Sequence, residues 1–352
     1  MKKIRTYRKI LIIFILFITL IGGGLSLEKL ERDHKNSQVS IASLSEEMLI
    51  PGGMPIGIYM ETDGVLIIGT EGISNRMGEV CEPAKYIVKE GDYIIALNHI
   101  VIESKAELIK AVKELETEEV VLALRRDEKV LEVRFDCVEV GVNEYKLGIW
   151  VRDNVQGLGT LTYLTTGSEF GALGHGIHDV DTNELLEIAE GDLYKTTIRG
   201  VQKGKAGSPG GLEGVIIYNN HNVIGTIEAN TENGVYGTLD NIDALFDNQE
   251  AVKICEKEKV KVGPATIRCC VDGKVKEYDI AILRVDLYSR SENKRIVLQV
   301  TDKELLDKTG GIVQGMSGSP ILQNGKIVGA VTHVFVNDPT SGYGIFIEDM
   351  LK

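Results

Sequence analysis

The spacing of apolar and polar positions divides the chain into four stretches. Ile10 through Leu27 is an apolar run broken only by Thr19, Gly22, Gly23, Gly24 and Ser26. About 18 residues at ~1.5 Å each give roughly 27 Å, just enough to cross a hydrocarbon core. Lys2, Lys3, Arg5, Arg8 and Lys9 precede the run, which predicts that they stay cytoplasmic and that the chain from about residue 28 lies outside. A cleaved signal peptide is the competing reading, since Gly22–Ser26 offers small residues, but no Ala-x-Ala-like site is evident. The expectation is therefore an uncleaved anchor over residues 1–27, followed by a polar stalk over 28–49.

Beyond Pro51-Gly52-Gly53 the pattern turns to short β-branched runs, Met54–Glu61 and Gly64–Gly69, with Tyr93–Leu97 and Val120–Arg126 further on. Between them Ser104 and Glu107 stand at capping-box spacing ahead of Leu108, Ile109, Val112 and Leu115, which predicts a helix with one apolar face. Lys129–Phe135 supplies a closing strand. The order, together with Gly91-Asp-Tyr-Ile-Ile-Ala-Leu-Asn98, resembles a PDZ domain over residues 50–137. The resemblance implies that an extended ligand peptide adds as a strand, with Pro55, Ile56, Gly57 and Ile58 at the carboxylate-binding loop. The usual Gly-Leu-Gly-Phe form is absent there. A spacer module that binds nothing is the alternative.

From 138 to 352 the strands are short and punctuated by glycine, as in a β-barrel. Composition narrows the partners. Asp plus Glu outnumber Lys plus Arg by 52 to 39, a net charge of −13, which argues against nucleic acid because phosphate backbones are held by basic surfaces. Five cysteines cannot all pair, and none has zinc-site spacing. No disulfide scaffold and no cofactor are expected, and Cys269-Cys270 is expected to lie in a strand.

The chemistry concentrates at Gly315-Met316-Ser317-Gly318-Ser319-Pro320, the Gly-x-Ser-Gly-[Gly/Ser]-Pro pattern of chymotrypsin-like serine proteases. A nucleophilic serine needs a tight turn whose N–H groups face the developing oxyanion, and the amides of Gly315 and Ser317 are the candidate donors. Pro320–Leu322, the Asn324-Gly325 turn and Lys326–Val331 predict a hairpin that stiffens the turn. Ser319 is the small residue two places on, and Ser208 reads as a loop residue. Serine needs a base. Of six histidines, His175 follows two candidate strands and a glycine, the way trypsin-like enzymes present theirs. His34 falls in the stalk and His99 in the first module, His178 reads as a surface neighbour, His221 as a turn residue, and His333 either as a pocket-shaping residue or as a satisfied strand histidine. For the carboxylate that orients the base, spacing leaves two candidates open: Asp279, in Asp279-Ile-Ala-Ile-Leu, and Asp302, which also reads as the cap of a following helix. His175, His178, Asp179 and Asp181 form a cluster with metal-binding residue types, but a turn-like setting favours reading both carboxylates as turn residues and expecting no metal.

Taken together, His175–Thr182, Val300–Asp302, Gly310–Ile321 and Thr332–Ile345 resemble the stage IV sporulation protein B family, membrane-anchored PDZ serine peptidases of endospore-forming bacteria. The resemblance implies a triad of His175, Asp302 and Ser317 in a chymotrypsin-like barrel. It also implies an extracytoplasmic location in the forespore intermembrane space. The substrates it implies are the chain itself and a membrane-bound regulator of late sigma-factor precursor processing. A non-catalytic PDZ adaptor with a degenerate protease-like domain is the alternative.

Overall fold

The computed structural model describes residues 48–127, 129–240 and 250–351. The anchor over residues 1–27 and the stalk as far as residue 47 lie outside them. Among the described residues, no helix is long and apolar enough to cross a membrane.

Strand β1 (Pro55–Thr70) organises the first half of the molecule. Gly64, at φ +91°, divides it, because a Cβ there would come within 3.0 Å of the Ile94 carbonyl oxygen. After Gly64, Val65 and Leu66 pair with β2 (Tyr93–Leu97). Helix α1 (Lys105–Lys113) follows, and then the hairpin of β3 (Glu119–Arg126) and β4 (Lys129–Asp136). The capping pattern is present: the Ser104 hydroxyl accepts from the Glu107 N–H, and the Glu107 carboxylate accepts from Glu103 N–H at 2.8 Å. Val65, Ile94, Leu97, Leu108, Leu122 and Phe135 close a small core.

Before Gly64, β1 belongs to a barrel. Strands β5 (Ile149–Leu164), β6 (Glu169–Ala172), β7 (Ile188–Gln202), the side hairpin strand β8 (Gly211–Ile216), β9 (Val223–Thr231) and β10 (Gly234–Leu239) follow in the chain. The antiparallel pairings β1–β5, β5–β6, β6–β10, β10–β9, β9–β7 and β7–β1 close a ring, filled by Ile56, Ile58, Leu161, Phe170, Leu193 and Ile227. Closure gives each of the six ring strands a neighbour on both sides, which is how an antiparallel sheet hides its edges.

A second ring is built the same way from β11 (Gly263–Cys270), β12 (Val275–Val285), β13 (Ile296–Val300), β14 (Pro320–Gln323), β15 (Lys326–Phe335) and β16 (Asp338–Phe346). Its order is β11-β12-β13-β16-β15-β14 and back to β11. Helix α2 (Lys303–Thr309) leaves β13 and ends at Gly310, left-handed at φ +74°. Cys269 and Cys270 lie in β11 as expected. The Asn324-Gly325 turn, with φ +53° and +73°, joins β14 to β15 as a hairpin.

Two expectations are corrected. The boundary near residue 137 does not separate the modules, because β1 serves both, and Met48-Leu49, assigned to the stalk, already pair with Lys253 and Val252. Pro55, Ile56, Gly57 and Ile58 do not form a carboxylate-binding loop. They are the first four residues of β1, paired on one edge with Gly157–Thr160 and, for Ile56–Ile58, on the other with Leu193–Lys195. No backbone edge remains there for an added peptide. The corresponding edge of the small module, Leu66–Thr70, is likewise taken, by Ile149–Arg152 of β5.

Candidate active site

One residue from each barrel reaches a shared cavity. His175 follows β6 through Leu173 and Gly174, both at positive φ (69° and 70°), which turns the chain sharply out of the first barrel. Ser317 stands on the loop from Gly311 to Ser319 that enters β14 of the second. Both side chains line a cavity of about 440 Å³, together with Gly315, Gln314, Thr332 and His333. Ile312, Val313, Val334 and Val336 give it an apolar wall, and among the described residues no carboxylate, ammonium or guanidinium lines it.

The serine loop is fixed by its contacts. Gly315 and Gly318 adopt φ +94° and +95°, and a Cβ on Gly318 would lie 2.0 Å from the Thr160 carbonyl oxygen. Thr160 binds the loop twice: its hydroxyl donates to the Gly315 carbonyl at 2.8 Å, and its N–H donates to the Ser317 carbonyl at 3.0 Å. Gln314 N–H donates to the Gly210 carbonyl, and Leu212 N–H to the Gln314 carbonyl. The N–H groups of Gly315 and Ser317 bond no acceptor among the described residues. Ser319 is fully buried and donates to the Met316 carbonyl at 2.6 Å, a structural role. Ser208 lies exposed in a turn with Lys205.

His175 Nδ1 lies 2.8 Å from the Gly176 carbonyl oxygen. A carbonyl only accepts, so Nδ1 carries the proton and Nε2 presents a lone pair. Burial holds the imidazolium below its ordinary range, and His178 adds to the effect. Ser317 Oγ donates to the Thr332 carbonyl at 2.7 Å. The His333 ring packs against His175 with centroids 4.9 Å apart, and its buried Nδ1 has no hydrogen-bond partner. Burial, then His175, pushes the His333 imidazolium down to about 4, so this ring is neutral at pH 7. Thr332 as the resting acceptor of the serine proton was not legible in the sequence, since a main-chain oxygen leaves no residue-type signal.

The structure brings Ser317 and His175 to one cavity and does not bring either candidate carboxylate there. Asp302 caps α2: its Oδ1 accepts from Leu305 N–H at 2.9 Å, and its Oδ2 from Asp279 N–H at 3.4 Å. Asp279 sits exposed on β12, paired with Thr266. The group that fixes the His175 tautomer here is the Gly176 carbonyl. Among the remaining histidines, His178 faces Glu232 at 3.5 Å, His99 is exposed near Glu132, His221 is in a turn, and His34 lies outside the described residues. Asp179 and Asp181 are both engaged by the Arg152 guanidinium.

Comparison with protein families matches residues 143–351 to the family described as SpoIVB peptidase S55. Solved structures similar to this chain include the Rv3671c protease from M. tuberculosis in its active form, at 11% identity and TM-score 0.31, covering 56% of this chain and 72% of that one. The HtrA-type protease AlgW with decapeptide is also similar, at 11% identity and TM-score 0.33, covering 56% of this chain and 51% of that one. So is the thermostable serine protease AL20 from an extremophilic microorganism, at 10% identity and TM-score 0.32, covering 55% of this chain and 89% of that one. Comparison with curated proteins finds no match.

Proposed function

Since the chain belongs to the SpoIVB peptidase S55 family and is a serine endopeptidase, we propose that Ser317 is its nucleophile and His175 its general base. The observation that carries this assignment is the common cavity, into which two separate barrels deliver a hydroxyl and an imidazole whose Nδ1–H is already spent on the Gly176 carbonyl. Turning Ser317 Oγ from the Thr332 carbonyl toward His175 starts the reaction. Oγ attacks the scissile carbonyl carbon as its proton passes to His175 Nε2, and the oxyanion takes the Gly315 and Ser317 N–H groups. Collapse breaks the C–N bond, the leaving amine takes the proton from Nε2, and water releases the acyl group by the same steps.

The biological reading follows the family resemblance. The substrates are the chain itself and a membrane-bound regulator of sigma-factor precursor processing, and the peptidase works outside the cytoplasm on an anchor formed by Ile10–Leu27. The cationic flank before that run supports the orientation. Incubating the wild-type chain and Ser317→Ala with peptide mixtures, and reading the products by mass spectrometry, tests the assignment. Cleavage by wild type alone is expected; undiminished cleavage by Ser317→Ala sinks it.

A further inference from the structure

The two carboxylates that the sequence places just after the base hold the loop that carries it. Asp179 is 2% exposed. Its Oδ1 accepts from the N–H groups of Asp181 (2.9 Å) and Thr182 (3.0 Å), closing a turn. Its main chain closes a second, with Asp179 N–H bonded to the Glu184 carbonyl and Asn183 N–H to the Asp179 carbonyl. Its remaining oxygen, Oδ2, takes Arg152 Nη1, while Arg152 Nη2 binds Asp181 Oδ2 at 2.8 Å. A buried carboxylate that loses its cation is strongly destabilised, so the turn and the guanidinium stand or fall together.

Arg152 is placed by an irregularity in β5. The β1–β5 register runs Val151↔Ile67 and Arg152↔Leu66 and then slips to Asn154↔Glu61, leaving Asp153 outside the pairing. Such slips re-aim side chains. Here they send neighbouring residues to opposite clients: Asp153 Oδ2 accepts from Lys105 N–H, the first residue of α1, at 2.8 Å, and Arg152 reaches the His175 loop. The contact between the small module and this loop continues through Leu66, Tyr93 and Leu186, which form one buried cluster with Ile177 packed on it. Tyr93 Oη also accepts from Glu187 N–H at 3.2 Å.

We propose that Arg152 is a positioning residue for the general base: by gripping Asp179 and Asp181 from the strand that the small module holds in place, it sets where the His175 imidazole stands. The proposal rests on His175 being the base. It assigns the module of residues 65–137 a part in catalysis, with the edge filled by Ile149–Arg152 as the connection.

The full-length chain is compared as wild type, Arg152→Gln, Arg152→Lys, Asp179→Asn, the Arg152→Gln/Asp179→Asn double variant and Asp181→Asn, following kcat, KM, the rate of labelling by a fluorophosphonate and the thermal midpoint. Misplacing a reacting group by about 1 Å costs on the order of 10²-fold. Arg152→Gln is therefore expected to lower kcat and labelling by about 10- to 10²-fold at temperatures where it is folded, with KM within about twofold. Arg152→Lys should recover part of the loss, and the double variant should be no worse than Asp179→Asn. Asp181→Asn, at an exposed carboxylate, keeps the comparison open if Arg152→Gln does not fold, and should lower kcat several-fold. Unchanged kcat in the folded variants, a rise in KM alone, or additive losses in the double variant would overturn the proposal. A wild-type chain that neither cleaves nor labels would instead remove the peptidase reading beneath it.

Discussion

A base must be neutral to take a proton, and the surroundings of His175 favour the neutral ring. Burial lowers its pKa from the ordinary 6.5, with the bond to Gly176 opposing and His178 reinforcing the shift. Because the protonated ring cannot accept the Ser317 proton, kcat/KM should fall on an acid limb whose midpoint lies below 6.5. A midpoint above 6.5 in a pH–rate profile would contradict the burial. Asp302 gives a sharper residue-scale test. Asn caps helices as well as Asp, so if the carboxylate acts only as the α2 cap seen here, Asp302→Asn should keep kcat within a few-fold. Asp302→Ala should cost about 1 kcal/mol of stability. A triad acid would instead lose about 10⁴ in kcat on conversion to Asn, which kcat measurements on the folded variant resolve at once. The sequence leaves both roles open because Val-Thr-Asp ahead of a helical pattern suits a cap and a catalytic carboxylate equally.

At the scale of elements, the serine loop depends on backbone shapes that only glycine takes without strain. Gly318→Ala should lower the thermal midpoint and abolish turnover, because the new methyl would meet the Thr160 carbonyl at 2.0 Å; a folded, fully active Gly318→Ala would show that the loop is not held as described. This loop and its hairpin were legible in the sequence, since the positive-φ glycines, Ser317 and the Asn-Gly turn are close together in the chain. Arg152 was not. Its partners lie 27 and 29 positions away, and nothing local in Trp150–Asn154 marks a register slip, which arises only when β5 pairs with β1. The strand expected within Gly91–Asn98 forms as β2 over Tyr93–Leu97, yet the expected binding loop at 55–58 is the start of a barrel strand, because Gly64 looks like a break between strands and is a bend within one.

The whole molecule is divided differently from its apparent domains. Residues 138–352 carry His175 and Ser317 but lack the strand that closes the first barrel between β5 and β7. A fragment of 138–352 should therefore fail to give a cooperative thermal transition, whereas residues 48–352 should fold; circular dichroism melts of the two decide it. If Arg152 positions the base as proposed, a change in the small module should reach His175 through β5, whose Ile149–Arg152 pairs with Leu66–Thr70 of the module. The central claim remains the pairing of one hydroxyl with one imidazole across two barrels. Its most direct test is to treat the chain with a fluorophosphonate and locate the adduct by mass spectrometry. A single adduct on Ser317, formed at a rate that collapses in His175→Ala, is the predicted result. An adduct on another residue, or labelling of Ser317 that is indifferent to His175, would contradict it.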